Sequence, residues 1–226
     1  MTRFKRRLLI ATAVVVLVLL GVGVWLYFSF FASPSAALRH AEAFIFRRMK
    51  VAQLAEQGTY RFFFVTNRRL ESNEGPLKHR FGREREARLK FGYFDARIQP
   101  TVGLGMLINP SEWFENEEIH LKTVKDLEQA AFVSQIQKLV QESPYRSLLI
   151  VVHGFREAFE SGLRKTAFVG HVLDINSPVL VFDWPGNQGS TPRGYLRARQ
   201  VAEASGAELA QTIQLVINEI KPDRLW

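Results

Sequence analysis

The residues with the clearest potential for chemistry lie between Ser147 and Phe155, which read SLLIVVHGF. Leu148 to Val152 is an unbroken apolar run rich in β-branched residues, which predicts a strand buried on both faces. It ends at His153-Gly154, and a helical pattern follows from about Glu157. A buried strand that ends in His-Gly and leads into a helix is typical of one half of an oxyanion hole for acyl transfer.

The nucleophile that such a half-site would serve is not found in the sequence. In enzymes of this kind, a G-x-S-x-G turn further along the chain supplies the serine and the other half of the hole. No G-x-S-x-G occurs in the 226 residues, and neither Ser190 nor Ser205 lies at a strand-to-helix turn. The sequence therefore predicts an acyl-transfer chemistry and no catalytic residue in this chain.

The residue spacing does not indicate a metal site, a dinucleotide site or a phosphate-binding loop. His79, His120 and His171 lack the i, i+4 spacing of a helical metal site, so we predict no metal. Gly103 and Gly105 form a G-x-G that no helix follows, and the glycines at 186 and 189 lack the lysine of a phosphate loop. We therefore predict no cofactor.

The net charge of +8 is concentrated at one end of the chain. The first 50 residues hold eight of the 30 basic residues and one of the 22 acidic residues, which leaves 22 basic and 21 acidic residues in the remainder. A nucleic-acid-binding domain would carry its positive charge on the domain itself. We therefore expect no nucleic-acid partner.

The segment from Leu8 to Phe31 is predicted to be a transmembrane anchor. It holds 24 residues without a charge and ends in aromatic residues, whereas the apolar core of a cleaved signal peptide is shorter. Four basic residues within 1–7 predict a cytoplasmic N-terminus. Residues 32–58 are then a juxtamembrane stalk, helical over 36–57, and 59–226 an extracytoplasmic domain. In a bacterium the membrane would be the inner membrane.

The first half of that domain is predicted to contain several strands and one helix. Tyr60–Thr66, Phe91–Ile98 and Val102–Ile108 have the β-branched and aromatic content of strands. The polar, Arg-rich residues 67–90 and the acidic residues 112–121 are interpreted as connections. Apolar residues at three- and four-residue spacing predict a helix over Val124–Gln141.

From Ser147 onward, strands and helices are predicted to alternate. Strands over 147–153 and 178–184 are each followed by a helix, over 157–173 and 195–220, and Arg224 begins a further strand. This alternation is typical of right-handed βαβ units in a parallel sheet with helices on both faces. The predicted fold class is thus α/β.

Several blocks of the sequence, in this order, resemble a bacterial family of α/β-hydrolases of unassigned function that are esterase- or lipase-like. The resemblance covers roughly Tyr60 to Trp226 and rests on FFFVTNRR (62–69), FGYFDARI (91–98), VVHGFREAFESGLRKTAFV (151–169), PVLVFDWPGNQGS (178–190) and the spacing of the helix that follows. It implies a partial α/β-hydrolase fold whose nucleophile, acid and base would come after Trp226. The implied substrate is a small acyl ester.

The resemblance also implies roles for residues that are present. Phe155 matches the position whose backbone N–H points at the oxyanion, and Arg156 is next to it. His153 and Gly154 would shape and support that loop, and His153 would not be the catalytic base. Asp183 stands where the family usually has Ser, so a strand-terminating turn is favoured over a catalytic role for it.

Three explanations of the missing nucleophile remain open. The chain is a fragment of an esterase-like enzyme, a non-catalytic membrane-tethered binding or scaffold protein on a hydrolase frame, or one half of a split enzyme. The fragment explanation is favoured. It predicts an uncovered sheet edge that promotes self-association.

Overall fold

The computed structural model describes residues 12, 14–24, 49–72, 77–98, 119–173 and 176–226. Two compact units are present: residues 1–45 with 100–110, and residues 46–99 with 111–226. In the first unit, residues 14–24 are helical and exposed. Among the residues described, no helix is long and apolar enough to cross a bilayer. The rest of the predicted anchor, like the predicted strand Val102–Ile108, lies outside the described residues.

The second unit is built on a six-stranded sheet of mixed direction. In the order β3-β2-β1-β5-β4-β6, the pairs from β1 to β6 are parallel and the other two are antiparallel. The strands are β1 (Thr59–Leu70), β2 (Phe81–Ile98), β3 (Ile119–Leu127), β4 (Ser147–Val152), β5 (Val179–Asp183) and β6 (Arg224–Leu225). The predicted α/β class with a mostly parallel sheet is confirmed.

In the described part of the second unit, three long helices cover the two faces of the sheet: α1 (Gln129–Glu142), α2 (Phe159–Val172) and α3 (Pro192–Leu215). The last continues into a π-helical turn over Val216–Ile220. Alternate residues of β1 point to opposite faces, as the pleat of a strand requires. Phe63 belongs to a core with Phe132 and Ile136 of α1 and with Val216. Phe64 packs on the other face, with its ring 5.3 Å from that of Phe159 in α2.

The β1–β2 hairpin corrects the interpretation of residues 67–90 as a loop. β1 continues to Leu70, and β2 begins at Phe81 and runs for 18 residues. Between Glu84 and Arg88 the side chains of β2 are mostly exposed, so apolar alternation cannot mark the strand there. The backbone hydrogen bonds of an antiparallel ribbon form regardless of such side chains.

Two helix predictions are also wrong in part. Val124–Leu127 belongs to β3, and α1 begins only at Gln129. Within residues 49–57, the predicted stalk helix is replaced by a 3-10 turn over Lys50–Ala52 and a bridge between Gln53 and Tyr60. The positive φ of Met49 interrupts any right-handed helix entering this turn. Residues 36–48 lie outside the described residues.

Candidate active site

The predicted site lies at the edge of the sheet where the parallel strands β4 and β5 end, beside residues 66–68 of β1. His153 follows β4 directly, and Asp183 is the last residue of β5. The His153 Nε2 atom lies 2.8 Å from Asp183 Oδ1, and both side chains are almost fully buried. Open α/β sheets generally bind ligands outside the carboxyl ends of their strands. The geometry therefore places this buried pair directly beneath a suitable edge.

Arg68 joins this pair from β1. Register shifts flank Arg68 on either side in the β1–β2 pairing, between Thr66 and Arg68 and between Arg68 and Leu70. Such irregularities re-aim side chains and are common beside functional sites. The Arg68 side chain is wholly buried, and its Nε atom lies 2.7 Å from Asp183 Oδ2. A fully buried guanidinium is costly unless every donor is paired.

Every N–H group of Arg68 has an acceptor. Nε donates to Asp183, and the four terminal donors reach Gly82 O (3.1 Å), Asn187 Oδ1 (2.8 Å), Glu157 O (2.7 Å) and Trp184 O (2.7 Å). These acceptors belong to β2 and to the loops after β4 and β5. A guanidinium has five N–H donors in a rigid planar fork. One side chain therefore fixes both loops relative to β1.

Asp183 remains ionised in this buried position. Burial raises the pKa of its carboxyl group, but the Arg68 guanidinium and the hydrogen bond with His153 outweigh burial and hold the pKa below its usual value. Thr66 Oγ1 donates a further hydrogen bond of 2.6 Å to Asp183 Oδ2. The carboxylate thus serves as a structural anion and is fully engaged by its neighbours.

His153 contacts both the loop after β4 and the loop after β5. Its Nδ1 atom lies 2.9 Å from Gly154 O, and its backbone carbonyl accepts a hydrogen bond from Trp184 Nε1 at 2.9 Å. The rings of His153 and Trp184 are stacked, with their centroids 5.8 Å apart. Gly162 in α2 leaves room for this imidazole, since a Cβ there would lie 3.1 Å from His153 Cδ2. The His153 residue therefore links the loop after β4 to the loop after β5.

In the loop after β4, the two residues whose backbone N–H groups are predicted to bind an oxyanion differ from each other. Arg156 has a φ of 74°, a left-handed conformation that is uncommon for a residue other than glycine. Its backbone N–H donates to Gly186 O at 2.9 Å and is therefore already used. Phe155 N–H, by contrast, forms no hydrogen bond with any residue that the structure describes. Of these two predicted donors, Phe155 is the one whose N–H has no partner among the described residues.

The remaining candidates are not brought to this site. Ser205 is buried within α3 and donates to Val201 O at 2.7 Å, whereas Ser190 is exposed in the loop before α3. Among the described residues, no group of three or more His, Cys, Asp or Glu side chains could hold a metal ion. The residues that sequence reasoning missed are Arg68 and Thr66. More than 110 residues separate each of them from Asp183, so local spacing gave no signal of the contact.

The sheet order and the helices on both faces form a mixed α/β fold with a mostly parallel sheet, as is found in α/β hydrolases. Residues 128–225 match the model of a family described as "Alpha/beta hydrolase of unknown function (DUF900)". The match spans β4, β5, α3 and β6 and supports the resemblance at the level of an α/β hydrolase, with no reaction or substrate attached. No curated protein and no solved structure matches the chain.

Proposed function

We propose that this domain supplies the oxyanion-binding half of a serine acyl hydrolase. The observation that supports the proposal is Phe155 N–H, which is unpaired among the described residues and lies in the loop that follows a buried parallel strand. Two hydrogen bonds hold this loop: the Arg68 guanidinium donates to Glu157 O, and Arg156 N–H donates to Gly186 O. Preorganised donors of this kind stabilise charge that develops in a transition state.

In this reaction a serine Oγ attacks the carbonyl carbon of an ester, and the carbonyl oxygen becomes a tetrahedral oxyanion. Phe155 N–H donates to that oxyanion as the charge develops. A general base, which like the serine would come from outside these residues, takes the serine proton and passes it to the alcohol oxygen as the ester C–O bond breaks. Water then hydrolyses the acyl-enzyme to a carboxylic acid and frees the serine. Loss of one such donor typically lowers the rate by about 10²–10³. That factor sets the contribution we assign to Phe155.

Because these 226 residues contain no G-x-S-x-G, the proposal requires the serine to come from a polypeptide segment outside them. β6 runs parallel to β4, with Arg224 opposite Ser147 and Leu225 opposite Leu148. A polypeptide that extends β6 in the same direction would pass Val152 and reach the loop that carries Phe155. A serine delivered along this path, in cis or in trans, would face the proposed donor.

The test compares the chain alone with the chain mixed with the polypeptide encoded downstream of codon 226, in each reading frame. Both are treated with an activated ester and with a serine-reactive fluorophosphonate. We expect no turnover and no labelling for the chain alone, and labelling of the added polypeptide in the mixture. Labelling of Ser190 or Ser205 in the chain alone, or an inactive mixture in every frame, would contradict the proposal. The inactive mixture would favour a non-catalytic binding or scaffold protein.

We also propose that residues 8–31 anchor the domain in a membrane with the N-terminus in the cytoplasm. The support is the uncharged 24-residue stretch and the basic residues before it. A reporter fused after Trp226 should be active as alkaline phosphatase and dark as ordinary green fluorescent protein. The opposite pattern would place the domain in the cytoplasm.

A further inference from the structure

Four exposed arginines, which we call the basic rim, surround the loops of the candidate site: Arg83, Arg156, Arg193 and Arg197. Three attachments place them around the loop after β5. Gln188 Nε2 donates to Arg83 O at 2.6 Å, and Arg156 N donates to Gly186 O at 2.9 Å. The ring of Phe155 lies 5.2 Å from that of Tyr195, which stands between Arg193 and Arg197 in α3.

The positive charge of the basic rim is not neutralised by the described part of the chain. None of its four side chains forms an ion pair with a described residue, whereas four acidic side chains near the loops already have basic partners. These pairs are Asp183 with Arg68, Glu157 with Lys165, Glu160 with Arg164, and Glu84 with Arg69. From Trp184 to Ala202 the sequence contains three arginines and no acidic residue. The edge above the Asp183 network is therefore cationic.

Arg193 and Arg197 lie at the start of α3, where the helix dipole disfavours positive charge. The helix begins at Pro192, and its first turn has no acidic residue. The N-terminus of a 24-residue helix carries a partial positive charge, so acidic residues are favoured there and arginine is not. Arg193 and Arg197 are also four residues apart, a spacing at which like charges repel. Departures from local preference of this kind concentrate at functional sites.

Apolar surface lies beside this charge. Val152 is 48% exposed at the end of β4, and Tyr195 and Leu196 are 53% and 57% exposed on α3. A ligand that reaches Phe155 N–H would thus meet hydrophobic side chains and arginines together. That combination fits an amphiphile with an anionic group better than it fits a neutral ester.

We propose that the basic rim binds the anionic group of an amphiphilic acyl substrate, a molecule with an alkyl or acyl chain and a phosphate beside the reacting carbonyl. The inference rests on the proposed acyl hydrolase function and specifies its substrate class. Arginine is suited to the anion because its planar fork donates two parallel hydrogen bonds to phosphate oxygens. The apolar chain of the substrate then lies against Val152 and Leu196.

The test measures binding to the full chain by ligand-detected NMR, with hexyl phosphate and hexylphosphocholine below their micellar concentrations. The two probes share the alkyl chain, and only the first carries a net negative charge. We expect hexyl phosphate to bind more tightly, by about two- to fivefold for each arginine engaged, and to weaken as salt rises. Equal affinities for the two probes would overturn the inference, as would inorganic phosphate binding as tightly as hexyl phosphate.

Matched variants locate the binding. Arg193→Gln and Arg197→Gln should each weaken hexyl phosphate about two- to fivefold and leave hexylphosphocholine unchanged. Arg156→Asn should do the same, since asparagine tolerates the positive φ at that position. Arg199→Gln is the control, because Arg199 lies on the same helix but is already paired with Glu203. An equal loss with Arg199→Gln would mean that only net charge matters and would overturn the inference.

Two further arms separate the possible outcomes. Binding to vesicles that contain phosphatidylglycerol, without binding of monomeric hexyl phosphate, would indicate a membrane surface and contradict a substrate site. No step of the NMR assay requires hydrolysis. Selective binding by the chain, with no esterase activity in any mixture with the downstream polypeptide, would therefore contradict the proposed reaction and support the basic rim. Esterase activity in a mixture, without selective binding of hexyl phosphate, would support the reaction and overturn the inference.

Discussion

Arg68 and Asp183 form an ion pair in which both side chains are completely buried, with 2.7 Å between Nε and Oδ2. They lie 115 residues apart in sequence and join the central strands β1 and β5. The same guanidinium holds the carbonyl groups of Glu157 and Trp184. The pair therefore links the stability of the sheet to the conformation of the two loops that form the candidate site.

Removing one partner of this pair should be strongly destabilising. Arg68→Met leaves a buried carboxylate and four acceptors that have lost their donor, so we expect a loss of about 3–5 kcal/mol in the free energy of unfolding. Urea denaturation measures the change. In the double variant with Asp183→Asn, the loss should be smaller than the sum of the single losses by about 1–3 kcal/mol, because the two residues share one network.

The neighbouring arginine provides the control. Arg69 is paired with Glu84 at the surface, where both side chains are more than half exposed. Arg69→Met should therefore change the free energy of unfolding by less than about 1 kcal/mol. If Arg68→Met were as mild as Arg69→Met, the guanidinium would not hold the loops in solution.

The stability of the domain should depend on acid through Asp183. Because the pKa of its carboxyl group is lower in the folded state than in the unfolded chain, the carboxylate stabilises the fold at any pH above the unfolded value of about 3.9. That contribution is lost as the pH falls from this value through the lower folded pKa. Urea denaturation between about pH 7 and pH 2 should show it, and Asp183→Asn should have a shallower acid limb. An equally steep limb in the variant would contradict the assignment.

The sequence predicts the parallel half of the fold well, for a physical reason. β5 is buried along its whole length and β4 over its first three residues, so their apolar runs stand out, and α2 between them has clear amphipathic spacing. The antiparallel half was harder to predict. β3 has a register shift opposite Asp95 and Ala96, and its apolar residues stand at positions 119, 121, 124 and 127. The three-residue spacing of the last of these positions resembles the period of a helix.

The candidate site could be predicted only where it is local in sequence. His153, Gly154 and Phe155 follow a recognisable strand, so their place in the loop after β4 could be expected. Arg68 could not be recognised, because its five acceptors come from three separate segments and a charged residue in an apolar strand ordinarily indicates exposure. The left-handed conformation of Arg156 has no sequence signal either, since arginine rarely adopts it.

Two glycines should respond to alanine in opposite directions. A Cβ on Gly92 in β2 would lie 2.3 Å from Phe64 Cζ and 2.4 Å from Lys125 O, within a buried part of the sheet. We expect Gly92→Ala to lower the free energy of unfolding by about 1–3 kcal/mol, because the ring and the neighbouring strand must both shift. Gly206→Ala, on the open side of α3, meets nothing within 4 Å and should stabilise the domain by about 0.5–1 kcal/mol. Thermal melts of the two variants measure both changes, and a stabilised Gly92→Ala would refute the close packing of β1, β2 and β3.

The edge of the sheet at β4 should promote self-association. β6 pairs with only the first part of β4, where Trp226 N donates to Leu148 O and Ile150 N donates to Trp226 O. Among the described residues, nothing pairs with the next groups on that side, the carbonyl of Ile150 and the N–H of Val152. An unpaired edge beside exposed apolar side chains can pair with the same edge of a second molecule.

Sedimentation velocity over a range of protein concentrations should therefore detect dimers or larger species. Val152→Lys should weaken the association by about tenfold or more, because an ammonium group in the interface would lose its hydration without gaining a partner. Leu173→Lys is the matched control: Leu173 is 51% exposed and Val152 is 48% exposed, but Leu173 follows α2 and lies away from β4. An equal effect of the two lysines would point to general hydrophobic association. A chain that stays monomeric at every concentration would show that the edge of β4 is protected in solution.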